Sequence, residues 1–396
     1  MPLTDKTIKI IKATVPIIEK NTVEMTKKFY PLLFTRNPTI KIFFNREHVR
    51  SGTLPRAVTA SIIEYANNID NLDAIKPLIN DIAEKHASLN IKPTQYSIVL
   101  KCMLEVIGNA LGTKGSHEVK RAWEEALDNL ANIIIETETR KYEETLAKEG
   151  GWKGYKYFTI TNKENESNLI TSFYLEPKDG KTIVTGKAGQ YISIMLDIPE
   201  RGTVFRNYSL SSSPNSNYYR ISVKREEKGL VSNYLHDMLS QGDKIKLNPP
   251  YGSLCLKDTD NPAVLISGGV GITPMMSILL KAADQKLTRP IHFIHGTRNK
   301  DTHAFKDDVV SLTADHNNLN HHFFYSRNSV KSANTESGRI TIESIKEIAS
   351  HQKDAEFYLC GPAQMMKDFY RELINWGVMP NNIVYEYFGP KGDITG

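Results

Sequence analysis

The sequence predicts three successive domains of different fold classes: an all-α domain, an antiparallel β-barrel domain and an α/β domain with a parallel sheet. Residues 1–148 contain few glycines, and their apolar residues recur with the helical period. Residues 152–260 consist of short alternating runs separated by turn residues, which is typical of antiparallel strands that close into a barrel. In residues 261–396, apolar runs alternate with helical segments, as they do around a parallel sheet.

The composition excludes several classes of protein. The chain has 396 residues, and its 50 basic residues exceed its 45 acidic ones by only +5, evenly spread, so we expect no nucleic-acid partner. No apolar stretch approaches the ~20 residues that span a bilayer, and the first residues lack the apolar core of a signal peptide. Three widely separated cysteines argue against a disulfide framework and against a metal site held by cysteines alone. We therefore expect a cytoplasmic protein without stable membrane association, and we expect it to be a monomer.

A histidine continues an apolar stripe in the helix predicted over about residues 75–87. The stripe carries three isoleucines and the histidine at helical spacing: Ile75, Ile79, Ile82 and His86. An isolated histidine on such a face is usually a buried residue with a satisfied hydrogen bond. The alternative is that its imidazole is an axial ligand of a haem iron.

Two other helices of this domain carry a polar residue on an otherwise apolar face. Tyr96 lies in a helix predicted to begin near Pro93, and Glu138 lies in the last helix, predicted over residues 116–148. A buried carboxylate is costly without hydrogen bonds, and the imidazole of His86 and the Tyr96 hydroxyl are suitable donors. A carboxylate that accepts from an iron-bound imidazole makes that imidazole more electron-donating. The haem interpretation accounts for all three polar residues together, whereas unrelated buried groups would need three separate partners.

A second tyrosine is predicted to face inward, from the helix over residues 21–34. The stripe of that helix comprises Val23, Thr26, Tyr30 and Leu33. The inner face of the next helix comprises Leu54, Val58, Ile62 and Tyr65. The side of the pocket opposite His86 would then be apolar with one hydroxyl, from Tyr30, Leu54 and Val58, which suits a small diatomic ligand. The Tyr30 hydroxyl would stabilise charge on that ligand.

These residues resemble those of a known family. Residues 1–148 look like a bacterial globin, and the whole chain looks like a flavohaemoglobin. The segment Glu84-Lys85-His86, with Tyr96 and Glu138, matches the family's proximal histidine and the tyrosine and glutamate beside it. The resemblance implies a haem b whose iron is bound by the histidine, and it places the lysine of this segment near the junction between haem and flavin.

The resemblance extends to the distal side of the haem. Tyr30 matches the family's distal tyrosine, and Phe44 matches the phenylalanine that packs on the haem. The family's distal helix usually carries a glutamine where this sequence has Leu54. A second hydrogen-bond donor to bound oxygen is therefore expected to be missing, unless that helix begins differently around Pro55.

In the β domain, strands are predicted over residues 155–161, 169–175, 190–194 and 219–223. The segment Arg206-Asn207-Tyr208-Ser209, just after a predicted loop, has the residue types that hold a flavin. Arginine pairs with a phosphate, the tyrosine ring lies flat beside the isoalloxazine, and the serine hydroxyl reaches a ring nitrogen. Alone, this pattern is weak, because such residues usually decorate a surface.

Two further features strengthen the flavin interpretation. Tyr191 stands at a predicted strand start, and Gly229-Leu230-Val231-Ser232 opens a short helix whose free N–H groups suit a pyrophosphate. The set resembles the flavin module of ferredoxin–NADP reductases, which implies an FAD site. The residues implied are Tyr191, Arg206, Asn207, Tyr208, Ser209, Gly229, Val231 and Ser232.

In the α/β domain, strands are predicted over residues 263–266, 291–294 and 357–360. The run from Ser267 to Pro274 follows a strand and precedes a helix, so its glycines let the backbone approach a phosphate. This run lacks the third glycine of the dinucleotide fingerprint. Its Thr-Pro ending resembles the corresponding turn of the ferredoxin–NADP reductase family, and so does the turn after the predicted strand 357–360. The NAD(P)-binding residues implied are Gly269, Val270, Gly271, Ile272, Thr273, Pro274, Cys360, Gly361 and Pro362. Cys360 could equally be a small buried residue.

Two further features concern the covering of the flavin and the choice between NADH and NADPH. Phe388 belongs to an aromatic cluster near the end of the sequence, which either packs a last strand or, by resemblance, covers the flavin and moves aside for nicotinamide. Arg298 and Lys300 follow the second strand, where a basic residue favours the 2′-phosphate of NADPH. The resemblance implies NADH, which the family more often uses, so both nucleotides stay open.

The order of haem, flavin and nicotinamide domains describes an electron-transfer chain. The resemblance implies a nitric oxide dioxygenase, in which oxygen on the haem oxidises nitric oxide to nitrate. Its cofactors would be haem b, FAD, and NADH or NADPH. Two alternatives are an NAD(P)H-dependent flavohaem reductase of peroxides, quinones or ferric iron, and a haem sensor or carrier of O2 or nitric oxide. The sensor or carrier leaves the roughly 245 residues after the helical domain without a function.

Overall fold

The computed structural model describes residues 3–44, 53–327 and 334–388. The chain separates into two compact units. The first unit runs up to Glu144 and the second runs from Thr145 to Phe388. No described helix is long and apolar enough to cross a membrane.

In its described part, the first unit is built from α-helices and short 3-10 turns around one apolar core. The α-helices are α1 (Asp5–Lys20), α2 (Thr22–Arg36), α3 (Thr53–Asn67), α4 (Lys76–Leu89), α5 (Pro93–Leu111) and α6 (His117–Leu146). Local chemistry sets several of their ends. The Thr4 hydroxyl accepts a hydrogen bond from the backbone N–H of Thr7, at 3.2 Å, which caps α1. Pro93 occupies the first turn of α5, and Asn90 ends α4 in the left-handed conformation at φ 56°.

One local prediction for this unit was wrong. Val23 lies in the first turn of α2 and is 60% exposed, because the buried positions of that helix start at Met25. The prediction for Leu54 cannot be compared, because its side chain lies outside the described residues.

The second unit begins with an antiparallel barrel. Its strands are β1 (Lys156–Asn165), β2 (Ile170–Pro177), β3 (Tyr191–Ile198), β4 (Gly202–Ser209), β5 (Tyr219–Lys224) and β6 (Lys244–Leu247). Their order in the sheet is β4-β3-β6-β1-β2-β5. Leu210, just after β4, forms a bridge with Ile221 of β5, so the two outer strands meet and the sheet closes. A short helix, α7 (Leu230–Met238), follows β5.

One placement in the barrel differs from the sequence prediction. The segment Arg206–Ser209 was expected just after a loop, but it forms the second half of β4. Hydrogen bonding along the whole of β3 holds it there, with Tyr191 opposite Ser209 and Ile194 opposite Arg206. The sequence pattern did not reveal this strand, because buried and partly buried residues do not alternate along it.

The second unit ends with a parallel sheet flanked by helices. The strands are β7 (Ala263–Gly268), β8 (Ile291–Thr297), β9 (Leu319–Tyr325), β10 (Thr335–Ser337), β11 (Glu356–Cys360) and β12 (Ile383–Tyr385). The helices are α8 (Ile272–Asp284), α9 (Lys306–Asp315), α10 (Ile342–Ile348) and α11 (Ala363–Trp376). The strand order is β10-β9-β8-β7-β11-β12, so the connections reverse direction at β7. At such a switch point, ligands bind in the crevice beyond the carboxyl ends of the strands.

Candidate functional site

Three helices of the first unit bring His86, Tyr96 and Glu138 together. The His86 Nδ1 atom lies 2.7 Å from the Tyr96 hydroxyl oxygen and 3.0 Å from Glu138 Oε1. The Tyr96 hydroxyl also donates to Glu138 Oε1. Glu138 is 2% exposed, so its carboxylate is withdrawn from water and held by these two donors. The structure therefore assembles the three residues that the sequence analysis selected from separate helices.

The hydrogen-bond roles in this cluster follow from its chemistry. A carboxylate only accepts, so Nδ1 carries the imidazole proton and Nε2 keeps its lone pair. Burial, and then the charge of Glu138, raise the pKa of the Tyr96 hydroxyl far above its ordinary value, which keeps it a donor. No residue in the described ranges hydrogen-bonds Nε2, and 33% of the His86 side chain is exposed. An imidazole with its Nδ1 engaged and its Nε2 accessible fits an axial ligand of haem iron.

Tyr30 lies in the apolar core of the same unit. It is 2% exposed, and its ring makes an edge contact with Phe44, at 5.6 Å between ring centroids, and a tilted contact with Phe34 at 5.5 Å. Burial raises the pKa of the Tyr30 hydroxyl well above its ordinary range, so the hydroxyl stays protonated. Tyr30 and Tyr96 belong to one apolar cluster, against which Phe44 and Val58 also pack. Lys85, by contrast, is exposed on α4.

A cross-link beside this cluster was not predicted. The Lys141 ammonium on α6 donates to Glu84 Oε1 at 2.5 Å and to Asn80 Oδ1 at 2.6 Å, both on α4. The charged side chains of Lys141 and Glu84 are only 13% and 14% exposed. Lys141 stands three residues after Glu138, so the pair ties together the two helices that carry the imidazole and its carboxylate. Opposite charges far apart in sequence gave no signal of this contact.

The predicted flavin residues line one end of the barrel. Tyr191 is paired with Ser209 across β3 and β4, and the backbones of Tyr191 and Tyr251 exchange two hydrogen bonds of 2.9 Å. Gly252 next to it adopts φ 124°, and a Cβ atom there would lie 2.9 Å from the Tyr191 ring. The Ser209 hydroxyl is buried and has no hydrogen-bond partner among the described residues. An orphaned buried hydroxyl at the end of β4 fits a hydrogen bond to a flavin ring atom.

Three other members of the predicted flavin set precede Ser209 on β4. Arg206, Asn207 and Tyr208 are partly buried, and one guanidinium nitrogen of Arg206 donates to the Phe205 carbonyl at 2.7 Å. Burial raises the pKa of the Tyr208 hydroxyl, so its ring stays neutral.

The predicted pyrophosphate turn lies at the start of α7. Gly229 precedes the helix, and a Cβ atom there would lie 2.3 Å from the Ser232 hydroxyl oxygen. That hydroxyl donates to the Gly229 carbonyl and accepts from the Glu226 N–H, each at 3.2 Å. Val231 is buried in the barrel core. The turn is therefore tight at Gly229, and no side chain in the described part of the chain caps the first N–H groups of the helix, which suits an anion.

The two glycine turns of the α/β half meet at the carboxyl ends of β7 and β11. These strands are direct neighbours, with Ser267 opposite Cys360. A Cβ atom on Gly271 would lie 2.1 Å from the Cys360 carbonyl oxygen, and one on Gly361 would lie 3.0 Å from the Gly268 nitrogen. Only glycine allows this approach, so the two turns lie side by side at this edge of the sheet.

The remaining predicted nucleotide residues fall into two groups. Buried members hold the turn in place: Ile272, Thr273, Pro274 and Cys360. More accessible members border the surface: Gly269, Val270 and Pro362. The Thr273 hydroxyl donates to the Val270 carbonyl at 3.0 Å, which fixes the start of α8. Cys360 is fully buried and its thiol pKa is raised by burial, which agrees with a packing role for its side chain.

Phe388 ends the described part of the second unit. It follows β12, which pairs with β11, and it is 45% exposed. A half-exposed phenylalanine beyond the carboxyl ends of these strands has an apolar face available for a flat ring.

Comparisons with known proteins cover all three parts of the chain. Residues 27–134 match the globin family. Residues 157–255 match the oxidoreductase FAD-binding domain family, and residues 265–371 match the oxidoreductase NAD-binding domain family. The chain is therefore an oxidoreductase with a globin domain for haem and binding domains for FAD and a nicotinamide nucleotide.

Relatives match the chain over nearly its full length. The chain is 39% identical to a flavohemoprotein of Halalkalibacterium halodurans, over 99% of this chain and 98% of that one. It is 40% identical to a flavohemoprotein of Pseudomonas aeruginosa, over 96% of each. Its structure resembles that of a flavohemoglobin from Malassezia yamatoensis with bound FAD and heme, with a TM-score of 0.87, 25% identity, and coverage of 98% and 100% of the two chains. The FAD/NAD-binding domain of a nitric oxide dioxygenase from Vibrio cholerae matches 59% of this chain and 99% of that one, with 34% identity and a TM-score of 0.54.

Proposed function

This chain belongs to the flavohemoprotein family, and on that premise we propose that it is a nitric oxide dioxygenase driven by a nicotinamide nucleotide. In the proposed reaction, nitric oxide, dioxygen and one electron give nitrate, and the electrons come from NAD(P)H. When bound, haem supplies the redox-active iron, and FAD converts the hydride of the nucleotide into single electrons. We further propose that the protein acts in the cytoplasm as a monomer.

His86 is proposed to bind the haem iron through Nε2. The carboxylate of Glu138 accepts a hydrogen bond from the Nδ1–H group and so increases the electron density on the imidazole. Tyr96 donates to the same carboxylate and keeps it oriented toward the ring. An electron-rich imidazole favours reaction of dioxygen over its simple release, as strongly donating axial ligands do.

Tyr30 is proposed to act on the other side of the haem. Its hydroxyl stays protonated because it is buried, so it can donate a hydrogen bond to negative charge that develops on a small ligand. Phe44 and Val58 would exclude water from this pocket.

In the second unit, the flavin is proposed to lie against Tyr191, Tyr208 and Phe388, with Ser209 donating to its ring. Arg206 and the helix that begins after Gly229 would hold its phosphates, with Asn207, Val231 and Ser232 supporting them. The paired turns around Gly271 and Gly361 would bind the nicotinamide nucleotide. That set comprises Gly269, Val270, Gly271, Ile272, Thr273, Pro274, Cys360, Gly361 and Pro362.

The observation that carries the proposal is the hydrogen-bonded set of His86, Tyr96 and Glu138 in a chain that also holds a complete reductase. A carrier or sensor of gas needs no built-in supply of electrons from a nicotinamide nucleotide. A reductase of peroxides, quinones or ferric iron needs neither a globin pocket nor a hydroxyl such as that of Tyr30 inside it. The dioxygenase is the proposal that uses both halves of the chain.

The test is nitric oxide consumption by the purified protein in air with NAD(P)H, with nitrate measured as the product. We expect many turnovers and one nitrate for each nitric oxide consumed. His86→Ala should lose haem and nitrate formation but keep NAD(P)H-dependent reduction of a dye through the flavin. Catalytic reduction of peroxide or quinone without nitrate formation would favour the reductase, and tight gas binding without turnover would favour the sensor.

A further inference from the structure

Three neighbouring strands of the parallel sheet carry a buried polar side chain near their carboxyl ends. Ser267 is the second-last residue of β7 and lies directly opposite His295 of β8. Tyr325 is the last residue of β9, and His303 comes from the segment between β8 and α9. These four residues are at most 4% exposed, so their polar atoms need partners inside the protein. Burial lowers the pKa of both imidazoles, that of His303 to about 3, so each ring is neutral and carries one proton.

Hydrogen bonds link these residues in two pairs. The Ser267 hydroxyl oxygen lies 2.9 Å from His295 Nδ1, and the hydroxyl donates to the Ile294 carbonyl at 3.3 Å. Because that hydroxyl proton is used, the oxygen accepts, and the proton of the His295 imidazole lies on Nδ1. The Tyr325 hydroxyl lies 2.8 Å from His303 Nδ1 and has no other hydrogen-bond partner in the described part of the chain. It therefore donates to Nδ1, which leaves the proton of the His303 imidazole on Nε2.

The remaining nitrogen atoms of the two imidazoles are complementary. His295 Nε2 and His303 Nε2 are both buried, and neither has a hydrogen-bond partner among the described residues. The two rings lie 4.9 Å apart between centroids, at an interplanar angle of 37°. By the assignment above, Nε2 of His303 is a donor and Nε2 of His295 is an acceptor. One small molecule that both accepts and donates would satisfy the two atoms together, and water does so.

The surroundings of this pair favour water over a metal ion. A metal ligand must offer a lone pair, but the Tyr325 hydroxyl leaves the His303 proton on Nε2. Among the residues that the structure describes, no group of three histidine, cysteine, aspartate or glutamate side chains could hold a metal. The Phe323 ring packs edge-on against His303, at 4.5 Å between centroids, and supplies no ligand.

We propose that one internal water molecule joins His303 to His295. It completes a chain in which each member donates to the next, from the Tyr325 hydroxyl to that of Ser267. The chain positions the glycine turn over residues 268–271, which Ser267 immediately precedes, and ties that turn to β8 and β9. Because all four residues are buried, they act on the nucleotide only through this turn, as positioning residues. This inference rests on the proposed nicotinamide site and adds the residues that hold its turn in place.

The first test locates the protons of the two imidazoles. In full-length protein labelled with ¹⁵N-histidine, long-range proton–nitrogen NMR spectra distinguish a protonated ring nitrogen from one with a lone pair. We expect the Nδ1–H tautomer for His295 and the Nε2–H tautomer for His303, with one bound water showing cross-peaks to both rings. The same tautomer in both rings would overturn the proposal. One equivalent of zinc or copper in the purified protein that is lost in His303→Leu would also overturn it, in favour of a metal site.

The second test measures the effect of the chain on nucleotide binding. Flavin reduction in the full-length protein, without air, would be followed over a range of NADH and of NADPH concentrations. In Tyr325→Phe, which loses the first donor, the half-saturating nucleotide concentration should rise about 5-fold, as for one lost hydrogen bond. The rate at saturation should change little. His303→Leu should raise the half-saturating concentration at least as much, and His303→Gln, whose amide can accept and donate, should restore most of it.

Tyr358→Phe is the matched control. Tyr358 is buried in β11 of the same sheet, and its hydroxyl donates to Glu356 Oε2 at 2.7 Å, so this variant loses a buried hydrogen bond outside the chain. It should lower the stability of the second unit at least as much as Tyr325→Phe but leave the half-saturating concentration unchanged. An equal rise in the control, or no rise in Tyr325→Phe, would overturn the proposal.

The same measurements separate this inference from the proposed function. None of them involves nitric oxide, so the chain can fail while nitrate formation stands, and the reverse. If neither nucleotide reduces the flavin of the unchanged protein, the proposed nicotinamide site is wrong. If the unchanged protein is reduced and Tyr325→Phe behaves identically, only the chain is wrong.

Discussion

The two units build their sites in opposite ways. In the first unit, polar side chains from α4, α5 and α6 converge, and each is held by hydrogen bonds to the others. In the second unit, the backbone itself forms the proposed nucleotide surface, and glycines allow strands and turns to approach to distances that a side chain would block. The first arrangement depends on the charge and protonation of side chains. The second depends on glycines, which have no side chain to block the close approach of the backbone. Substitutions should therefore affect the two units by different mechanisms.

The largest effect is expected from adding one methyl group to the glycine turn. In Gly271→Ala, the new Cβ atom would lie 2.1 Å from the Cys360 carbonyl oxygen, so the turn or β11 must move. We expect a loss of roughly 3 kcal/mol or more in the free energy of unfolding of the second unit, and loss of NAD(P)H-dependent flavin reduction. Denaturant unfolding monitored by flavin release would measure the free energy of unfolding. Stopped-flow spectroscopy would measure NAD(P)H-dependent flavin reduction.

The control for this variant lies in the first unit. At Gly108, within α5, a Cβ atom would meet only the end of the Lys120 side chain, at 3.8 Å. Gly108→Ala should stabilise that helix by about 1 kcal/mol, since alanine is the better helix former. A harmless Gly271→Ala would contradict the idea that the nucleotide site depends on close backbone contact.

Acid should weaken the second unit through two histidines, one buried and one partly buried. Burial lowers the pKa of His303 to about 3 and that of His322 to about 4, so both stay neutral in the folded protein at pH values where the unfolded chain protonates them. The unfolded chain then binds more protons, and the free energy of unfolding falls as the pH drops from about 6.5 toward 4. The expected slope is at most ~1.4 kcal/mol per pH unit for each histidine.

Denaturant unfolding at several pH values would test this, with flavin release reporting on the second unit. In His303→Gln, the slope of the free energy of unfolding against pH should fall by the contribution of about one proton, because one titrating group is removed. The amide of the glutamine can keep the hydrogen bond to the Tyr325 hydroxyl. A variant with an unchanged slope would show that His303 does not contribute to the acid sensitivity.

A smaller effect is expected from the cross-link beside the imidazole. Lys141→Met keeps the length of the side chain but leaves Glu84, which is nearly buried, without its ammonium partner. We expect the first unit to lose about 2 kcal/mol in its free energy of unfolding, measured by haem release. Arg140→Met, one residue away and directed to the exposed Thr137 hydroxyl at 3.3 Å, is the control and should cost much less. Equal losses in the two variants would mean that the cross-link is not specific.

The smallest expected effect concerns the charge behind the imidazole. Glu138→Gln keeps the shape of the side chain but removes the charge, so the hydrogen bond to His86 Nδ1 becomes weaker. We expect the haem reduction potential to rise by on the order of 50 mV and the iron–histidine stretching frequency to fall. Tyr96→Phe, which keeps the carboxylate, should shift the reduction potential and the stretching frequency less than Glu138→Gln does. Values equal to those of the unchanged protein would contradict the electron-donating role of Glu138.

Sequence patterns predicted the features that repeat along the chain and missed those that depend on distant contacts. The helical period placed His86, Tyr96 and Glu138 on inner faces, because each helix repeats its apolar stripe over several turns. The strands β10 and β12 have three residues each, too short for any period to be visible. Lys141 contacts Glu84 and Asn80, which lie about 60 residues earlier in the chain, so no local pattern indicated that contact.

The central claim is that an imidazole of the first unit binds iron that receives electrons through the second. The most direct test is an anaerobic titration of the purified protein with NADPH, recorded by absorption spectroscopy. We expect the flavin bands to bleach and the haem Soret band to shift to its ferrous position in the same protein, whereas His86→Ala shows the flavin change without a haem band. A preparation without haem, or a haem that stays ferric after the flavin is reduced, would contradict the account.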